Sequence, residues 1–141
     1  SGMTLVNTKK SFLLLLLIVL SDQLTKYLAR LFSWPIYYNF GISFGLLQSQ
    51  NLGVLIYGLV YLILLGLVGY LIFNKSKDQN LLASFILLLA GGVGNSIDRL
   101  LNSGGVIDFI SIGNLPIFNI ADFSISIGAF LLFIMSLNKN D

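Results

Sequence analysis

Residues 81–101 read LLASFILLLAGGVGNSIDRLL, an apolar run whose last third carries Asn95, Asp98 and Arg99. In a helix, about 20 residues at 1.5 Å each cross the hydrocarbon core of a bilayer. Three further apolar stretches have this length: residues 11–31, 53–73 and 120–137. Backbone groups in lipid must be hydrogen-bonded within their own element, so all four are expected to be helices. The sequence therefore predicts an all-α membrane protein with four transmembrane helices.

The composition of the 141 residues indicates the same solvent. Hydrophobic residues make up 56% and charged residues 10%, whereas soluble domains carry about 25% charged residues. The net charge of +2 does not indicate a nucleic-acid partner, because the basic residues form no patch. The sequence has no Cys and no His, which excludes disulfides, thiol chemistry and the commonest general base. Ser1 and Gly2 look like the remnant of a cleaved tag, which leaves residues 3–141 as one domain.

The lysines indicate the orientation in the membrane. Five of them lie in the terminal segments and in the loop 74–80: Lys9, Lys10, Lys75, Lys77 and Lys139. Four spans place all of these on one side, which the positive-inside bias makes cytoplasmic. We therefore expect both termini inside the cell, with residues 32–52 and 102–119 outside.

The two outer segments have more than loop character. Residues 33–45 (SWPIYYNFGISFG) are aromatic and β-prone, and residues 104–119 (GGVIDFISIGNLPIFN) place two apolar runs around the turn signal Gly113-Asn114. These patterns predict a small extracytoplasmic β-platform at the outer membrane face. Aromatic residues of the first segment fit an interfacial belt: Trp34, Tyr37 and Tyr38.

Polar side chains cluster in the outer halves of three predicted helices, where charges are costly and usually functional. They are joined by Asn39 and Asp108 from the outer segments, and we expect one shared polar pocket. The helical members are Asp22, Lys26, Asn95, Asp98, Arg99 and Asp122.

Each of these groups also has a purely structural interpretation. Asp22 and Lys26 are four residues apart and can pair on one helix face. The i, i+3, i+4 spacing of Asn95, Asp98 and Arg99 suits a polar staple between helices, and Asp98 can share the adjacent Arg99. Asn39 can belong to a turn. The glycines of residues 91–94 favour close helix packing.

Asp108 and Asp122 have no cation near them in the sequence. Two carboxylates in a poorly hydrated site share one proton, and such a pair can activate a water molecule between them. Catalysis by a serine with Lys26 stays open, as does a passive Asp108 on the surface. A small transporter or channel subunit is a second class of function. It would need polar residues through the whole membrane, yet the inner halves of the helices are almost wholly apolar.

The polar residues fall in five motifs that resemble those of bacterial lipoprotein signal peptidases (signal peptidase II). In the family's order these are DQLTK at 22–26, NFGISFG at 39–45, GGVGNSIDR at 91–99, VIDFI at 106–110 and FNIAD at 118–122. The resemblance implies an intramembrane aspartic protease of the bacterial cytoplasmic membrane that uses no metal or organic cofactor. Such enzymes cut a prolipoprotein just before its diacylglyceryl-modified Cys and are inhibited by globomycin-like cyclic peptides.

The resemblance also implies roles for single residues. The catalytic pair falls on Asp108 and Asp122. Substrate-binding positions fall on Asn39, Asn95, Asp98, Arg99 and Asn119, and supporting positions on Asp22, Lys26 and Gly41. The expected partners are the lipidated substrate and membrane lipids, and the expected state is a monomer. The outer segments are shorter than the family's, and Phe123 stands where the family usually has Ser.

Overall fold

The computed structural model describes residues 8–41, 50–73 and 78–139. These ranges contain four helices and two short strands, in the order α1 Thr8–Leu31, β1 Tyr37–Asn39, α2 Gln50–Phe73, α3 Gln79–Leu101, β2 Val106–Asp108 and α4 Ile120–Asn138. The tag remnant, the lysines at 75 and 77, and the motif residues 42–45 lie outside the described residues. The predicted fold class, a helical membrane protein with a small sheet, is confirmed.

Length and composition allow three of these helices to cross a membrane. They are the 23-residue stretches Lys9–Leu31 and Gln79–Leu101 and the 19-residue helix Ile120–Asn138. The α2 helix has 24 residues, and its fully described apolar stretch is Gly58–Tyr70. Large apolar side chains on the outward faces of α1, α2 and α4 are exposed, as expected of helices that face lipid.

Side-chain caps set where two helices begin. The carboxylate of Asp78 accepts a hydrogen bond from the Leu81 amide at 3.0 Å, so α3 begins at Gln79 rather than at the predicted residue 81. The side-chain oxygen of Asn119 accepts one from the Asp122 amide at 2.8 Å. Each cap satisfies an amide that has no partner within its helix.

The central helix is α3, which packs against the other three. Its N-terminal half forms an apolar core with α2, made of Leu64, Val68, Leu82, Ile86 and Leu89. Toward the C-terminal end of α3, glycines bring the helices close together. A Cβ at Gly91 would lie 2.4 Å from the Ala121 carbonyl oxygen, and one at Gly92 would lie 1.8 Å from the Tyr61 ring. The glycines thus allow the close packing that the sequence predicted.

The sheet lies at the end of the bundle where α1 and α3 finish and α4 begins. Its strands are antiparallel, with Tyr37 opposite Asp108 and Asn39 opposite Val106. Beyond β2 the chain folds back on itself: the Phe118 amide donates to the Ile110 carbonyl at 3.0 Å, and Gly113 takes a φ of 52° at the turn. The indole of Trp34 donates to the Phe109 carbonyl at 3.0 Å, which joins the residues between α1 and β1 to this segment.

Candidate active site

Asp108 and Asp122 lie at the same end of the bundle on different elements. Asp108 is the last residue of β2, and Asp122 is in the first turn of α4. Their exposed fractions are only 4% and 2%. Asp108 is therefore not on the surface, and the interpretation of it as a surface carboxylate is wrong.

Two asparagine side chains connect these carboxylates. The amide nitrogen of Asn119 donates to Asp108 Oδ1 at 2.8 Å, while its oxygen caps α4 at Asp122. The amide nitrogen of Asn95 donates to Asp122 Oδ1 at 3.1 Å. Asn119 also donates to Asn95 Oδ1 at 3.1 Å. The four side chains thus form one buried chain of hydrogen bonds from β2 through α4 to α3.

The environment of Asp108 favours its protonated form. Burial raises the pKa of Asp108 from 3.8 to about 7, and the negative charge of Asp122 is the second cause of the increase. Hydrogen bonds from Asn39 and Asn119 and the charge of Lys26 act in the opposite direction. Near neutral pH, Asp108 can therefore hold a proton while a second carboxylate lies beside it, which is the arrangement of a proton-sharing dyad.

A buried ionic cluster lies between α1 and α3. The ammonium of Lys26 contacts Asp22 Oδ2 at 2.7 Å and Asp98 Oδ2 at 2.9 Å, and all three residues are at most 2% exposed. The pairing of Asp22 with Lys26 that the sequence suggested is present. The cation that contacts Asp98 at this distance is Lys26 of α1, which the sequence did not offer as a partner of Asp98. Helix packing brings Lys26 there, and no local spacing reveals it.

Arg99 instead reaches the segment that follows β1. Its guanidinium donates to the Gly41 carbonyl oxygen, and the Gly41 amide donates to Asn39 Oδ1 at 2.9 Å. The structure therefore joins Asn39, Gly41 and Arg99 in one contact group at the end of β1. Asn39 is the last residue of β1, paired with Val106, rather than only part of a turn, and its side chain also bonds to Asp108.

Sequence reasoning missed the part played by Gln23. Its amide nitrogen donates to the Gly94 carbonyl at 3.0 Å and to Asp98 Oδ1 at 3.0 Å. The available indication was its place beside Asp22 in a predicted span, where a polar side chain needs a partner. Gly94 itself leaves room for Asp22, since a Cβ there would lie 2.6 Å from Asp22 Oδ2.

Comparisons with known proteins identify the family. The sequence model of signal peptidase (SPase) II matches residues 14–138. The lipoprotein signal peptidase of Shouchella clausii (strain KSM-K16) is 36% identical over 149 residues, covering 93% of this chain and 96% of the relative. That of Bacillus subtilis (strain 168) is 35% identical over 145 residues, covering 89% and 92%. That of Chlorobium phaeobacteroides (strain BS1) is 38% identical over 150 residues, covering 87% and 92%.

Solved structures show the same architecture. A bacterial membrane enzyme determined by the in meso method at 2.3 Å resolution superposes with a TM-score of 0.86 at 27% identity, covering 100% of this chain and 95% of that one. A second, at 1.9 Å resolution, superposes with a TM-score of 0.78 at 28% identity, covering 97% and 98%. The chain therefore belongs to the signal peptidase II family, the lipoprotein signal peptidases, as a multi-pass bacterial membrane peptidase.

Proposed function

We propose that this lipoprotein signal peptidase is an intramembrane aspartic endopeptidase whose catalytic pair is Asp108 and Asp122. The observation that carries the proposal is the buried hydrogen-bond chain that holds both carboxylates, with Asn119 on Asp108 and Asn95 on Asp122. Two carboxylates in a water-poor site ionise one at a time. A single proton shared between them suits both steps of peptide hydrolysis, the addition of water to the carbonyl and the departure of the amine.

The two carboxylates divide the work according to their surroundings. Asp122 lies in the first turn of α4, where the positive end of the helix dipole favours a carboxylate, and it acts as the base that takes a proton from water. Asp108, with its raised pKa, donates a hydrogen bond to the scissile carbonyl. The hydroxide adds to the carbonyl carbon, and the resulting tetrahedral intermediate expels the amine of the lipidated Cys, which leaves with a proton from the dyad.

The other polar residues of the site have proposed roles beside the dyad. Asn39 and Asn95 bond directly to the two aspartates, so they can orient the substrate peptide as it reaches the reacting atoms. Asn119 maintains the separation of the two aspartates. Arg99 holds the segment at Gly41 by donating to its carbonyl oxygen. Asp98 contacts Lys26 and the start of β2, which fits a supporting role better than the substrate contact that the sequence predicted.

The substrate is proposed to be a prolipoprotein whose acyl chains stay in the outer leaflet. Burial of each CH₂ contributes roughly 0.8 kcal/mol to membrane anchoring, so a diacylglyceryl group would hold the scissile bond near one membrane depth. The dyad would lie at the outer face and both termini in the cytoplasm. One chain contributes both aspartates, so a monomer suffices, and globomycin-like cyclic peptides would bind at the dyad.

A cleavage assay tests the proposal. Purified protein is incubated with a diacylglyceryl-modified prolipoprotein and, in parallel, with its unlipidated form. We expect the lipidated form to lose the mass of its signal peptide, with the new N-terminus at the modified Cys, and the unlipidated form to be cut far more slowly. A chelator should leave the rate unchanged. Equal rates for the two substrates would contradict recognition of the lipid, and inhibition by chelator would contradict a metal-free dyad.

A further inference from the structure

Three buried charges between α1 and α3 take no part in the proton transfers proposed above: Asp22, Lys26 and Asp98. Lys26 Nζ lies 2.7 Å from Asp22 and 2.9 Å from Asp98. Charge-assisted contacts of this length are among the strongest hydrogen bonds in proteins, and burial protects them from screening. Each carboxylate also accepts a hydrogen bond from the main-chain amide of the residue before one of the catalytic aspartates.

The Asp22 contact leads to the start of α4. Asp22 Oδ1 accepts a hydrogen bond from the Ala121 amide at 2.8 Å, and Ala121 directly precedes Asp122. The approach depends on Gly94, whose missing Cβ would lie 2.6 Å from Asp22 Oδ2. Asp22 therefore fixes the main chain one residue before one catalytic aspartate.

The Asp98 contact repeats this arrangement at the sheet. Asp98 Oδ2 accepts a hydrogen bond from the Ile107 amide at 3.0 Å, and Ile107 directly precedes Asp108. Asp98 Oδ1 is held by the Gln23 amide at 3.0 Å. The main chain before the second catalytic aspartate is thus fixed in the same way, and both contacts meet at one ammonium group.

Lys26 also contacts the dyad's own hydrogen-bond chain. Its ammonium donates to Asn95 Oδ1 at 3.4 Å, and the nitrogen of the same amide donates to Asp122. The contact orients Asn95 so that its nitrogen faces Asp122. The contacts of Lys26 therefore lead through Asp22 and Asp98 to the main chain one residue before each catalytic aspartate. Through Asn95 they lead to Asp122 itself.

We propose that Lys26 is a positioning residue that sets the separation of the two catalytic aspartates through Asp22, Asp98 and Asn95. The inference rests on the proposed function of Asp108 and Asp122. The competing role is a structural staple that stabilises the bundle and does nothing more. The two roles differ in what happens to correctly folded variants. A positioning role changes their turnover and pH profile, whereas a staple changes only how much of them folds.

The test compares four variants in the cleavage assay, with each rate divided by the concentration of folded enzyme. Lys26→Met removes the shared charge but keeps the stem. Asp98→Ala removes the acceptor for Ile107, and Asp98→Asn keeps an oxygen that can accept from both Ile107 and Lys26. Ser84→Ala is the control, because Ser84 is a buried polar residue of α3 that bonds to the Asn80 carbonyl at 2.8 Å, away from the site.

We expect kcat of Lys26→Met and Asp98→Ala to fall about 10²-fold, the effect of misplacing reacting groups by about 1 Å. KM should change little. In Asp98→Ala, which keeps the charge of Lys26, the alkaline limb of the pH profile should move to lower pH as Asp108 separates from the charge of Asp122. In Lys26→Met the loss of the positive charge raises the pKa of Asp108 and opposes this movement, so the pH profile is compared for Asp98→Ala. Asp98→Asn should recover most of kcat. The double variant Lys26→Met with Asp98→Ala should be no worse than either single one, because the residues act as a unit.

The outcomes separate this inference from the proposed function. If Asp108→Asn still cuts, the dyad assignment is wrong and the inference falls with it. If wild type cuts and Asp108→Asn does not, while folded Lys26→Met keeps the wild-type kcat or folded Asp98→Ala keeps the wild-type kcat and pH profile, the positioning role alone is contradicted. Failure of both variants to fold, or an Asp98→Asn as slow as Asp98→Ala, also contradicts it.

Discussion

At the scale of single residues, the proposed mechanism depends on keeping one carboxyl group protonated near neutral pH. Asp108 and Asp122 have the same side chain in different settings, one at the end of a strand and the other in the first turn of a helix. The positive end of the helix dipole favours a negative charge on Asp122. Burial and the negative charge of Asp122 favour the protonated form of Asp108. Their surroundings are therefore the basis for the different roles that we propose for two chemically identical groups.

The first prediction concerns the pH dependence of cleavage. The pKa of Asp108 is raised to about 7, and the reaction needs its proton, so kcat/KM should fall as the pH rises through about 7. The measurement is the initial cleavage rate of lipidated prolipoprotein from pH 5 to 9 at constant ionic strength. A rate that stays constant up to pH 9 would contradict the role of Asp108 as the hydrogen-bond donor.

The second prediction concerns the pH dependence of stability. The folded-state pKa of Asp108, about 7, lies above the ordinary value of 3.8, so between these values the folded state binds more protons than the unfolded state. The stabilisation of the folded state by the proton on Asp108 is fully present below pH 3.8 and is lost as the pH rises through about 7. Asp108→Asn cannot titrate, so its Tm should gain on that of wild type from pH 4 to 7. A Tm difference that does not change with pH would contradict the assignment.

At the scale of elements, the glycines of α3 decide how closely α4 can approach. A Cβ at Gly94 would lie 2.6 Å from Asp22 Oδ2 and 3.3 Å from Ala121 Cβ. Gly94→Ala should therefore push the start of α4 outward, at a cost of about 1–3 kcal/mol for overpacking. We expect a lower Tm and a lower kcat, because Asp122 moves with the helix.

Gly69→Ala is the matched control for this third prediction. Gly69 is also a helical glycine, on α2, and a Cβ there meets nothing within 4 Å. Its Tm should be unchanged or slightly higher, since Ala is the better helix former, and its kcat should equal that of wild type. Equal effects of the two substitutions on kcat would show that the Gly94 contact does not position α4.

The elements also show which features the sequence could predict. The transmembrane helices were predicted from the length of apolar runs such as residues 81–101. The strand-prone outer segments predicted the small β-platform. The start of α4 at Ile120 was predicted, whereas the start of α3 at Gln79 depends on the cap Asp78, which apolar length does not register. The contact of Asp98 with Lys26 was not predicted, because Lys26 lies on another helix, whereas the cation adjacent to Asp98 in the sequence is Arg99. Ion pairs between helices depend on packing, which a single sequence does not specify.

At the scale of the whole molecule, the proposed orientation places the sheet outside the cell and both termini inside. Lys9 and Lys10 lie at the start of α1, and Lys139 follows α4, so these charges lie at the end of the bundle away from the dyad. The chain has no native Cys, which gives labelling experiments no background. This arrangement suits a substrate whose lipid anchor lies in the outer leaflet.

The fourth prediction tests the orientation. Ser111→Cys lies on the exposed segment after β2, and Asn138→Cys lies at the exposed end of α4. In intact cells, a membrane-impermeant maleimide should label the cysteine at 111 and not the one at 138, and permeabilised cells should label both. Labelling at 138 from outside would reverse the topology and place the dyad on the cytoplasmic side.

The cleavage time course of Asp108→Asn and Asp122→Asn tests the central claim most directly. Asparagine keeps the shape of the side chain but can neither take nor give the proton, so each variant should fold and cut at least about 10²-fold more slowly than wild type. The double variant should be hardly slower than either single one, because the pair acts as a unit. A folded Asp108→Asn that cuts lipidated prolipoprotein at the wild-type rate would contradict the aspartyl dyad.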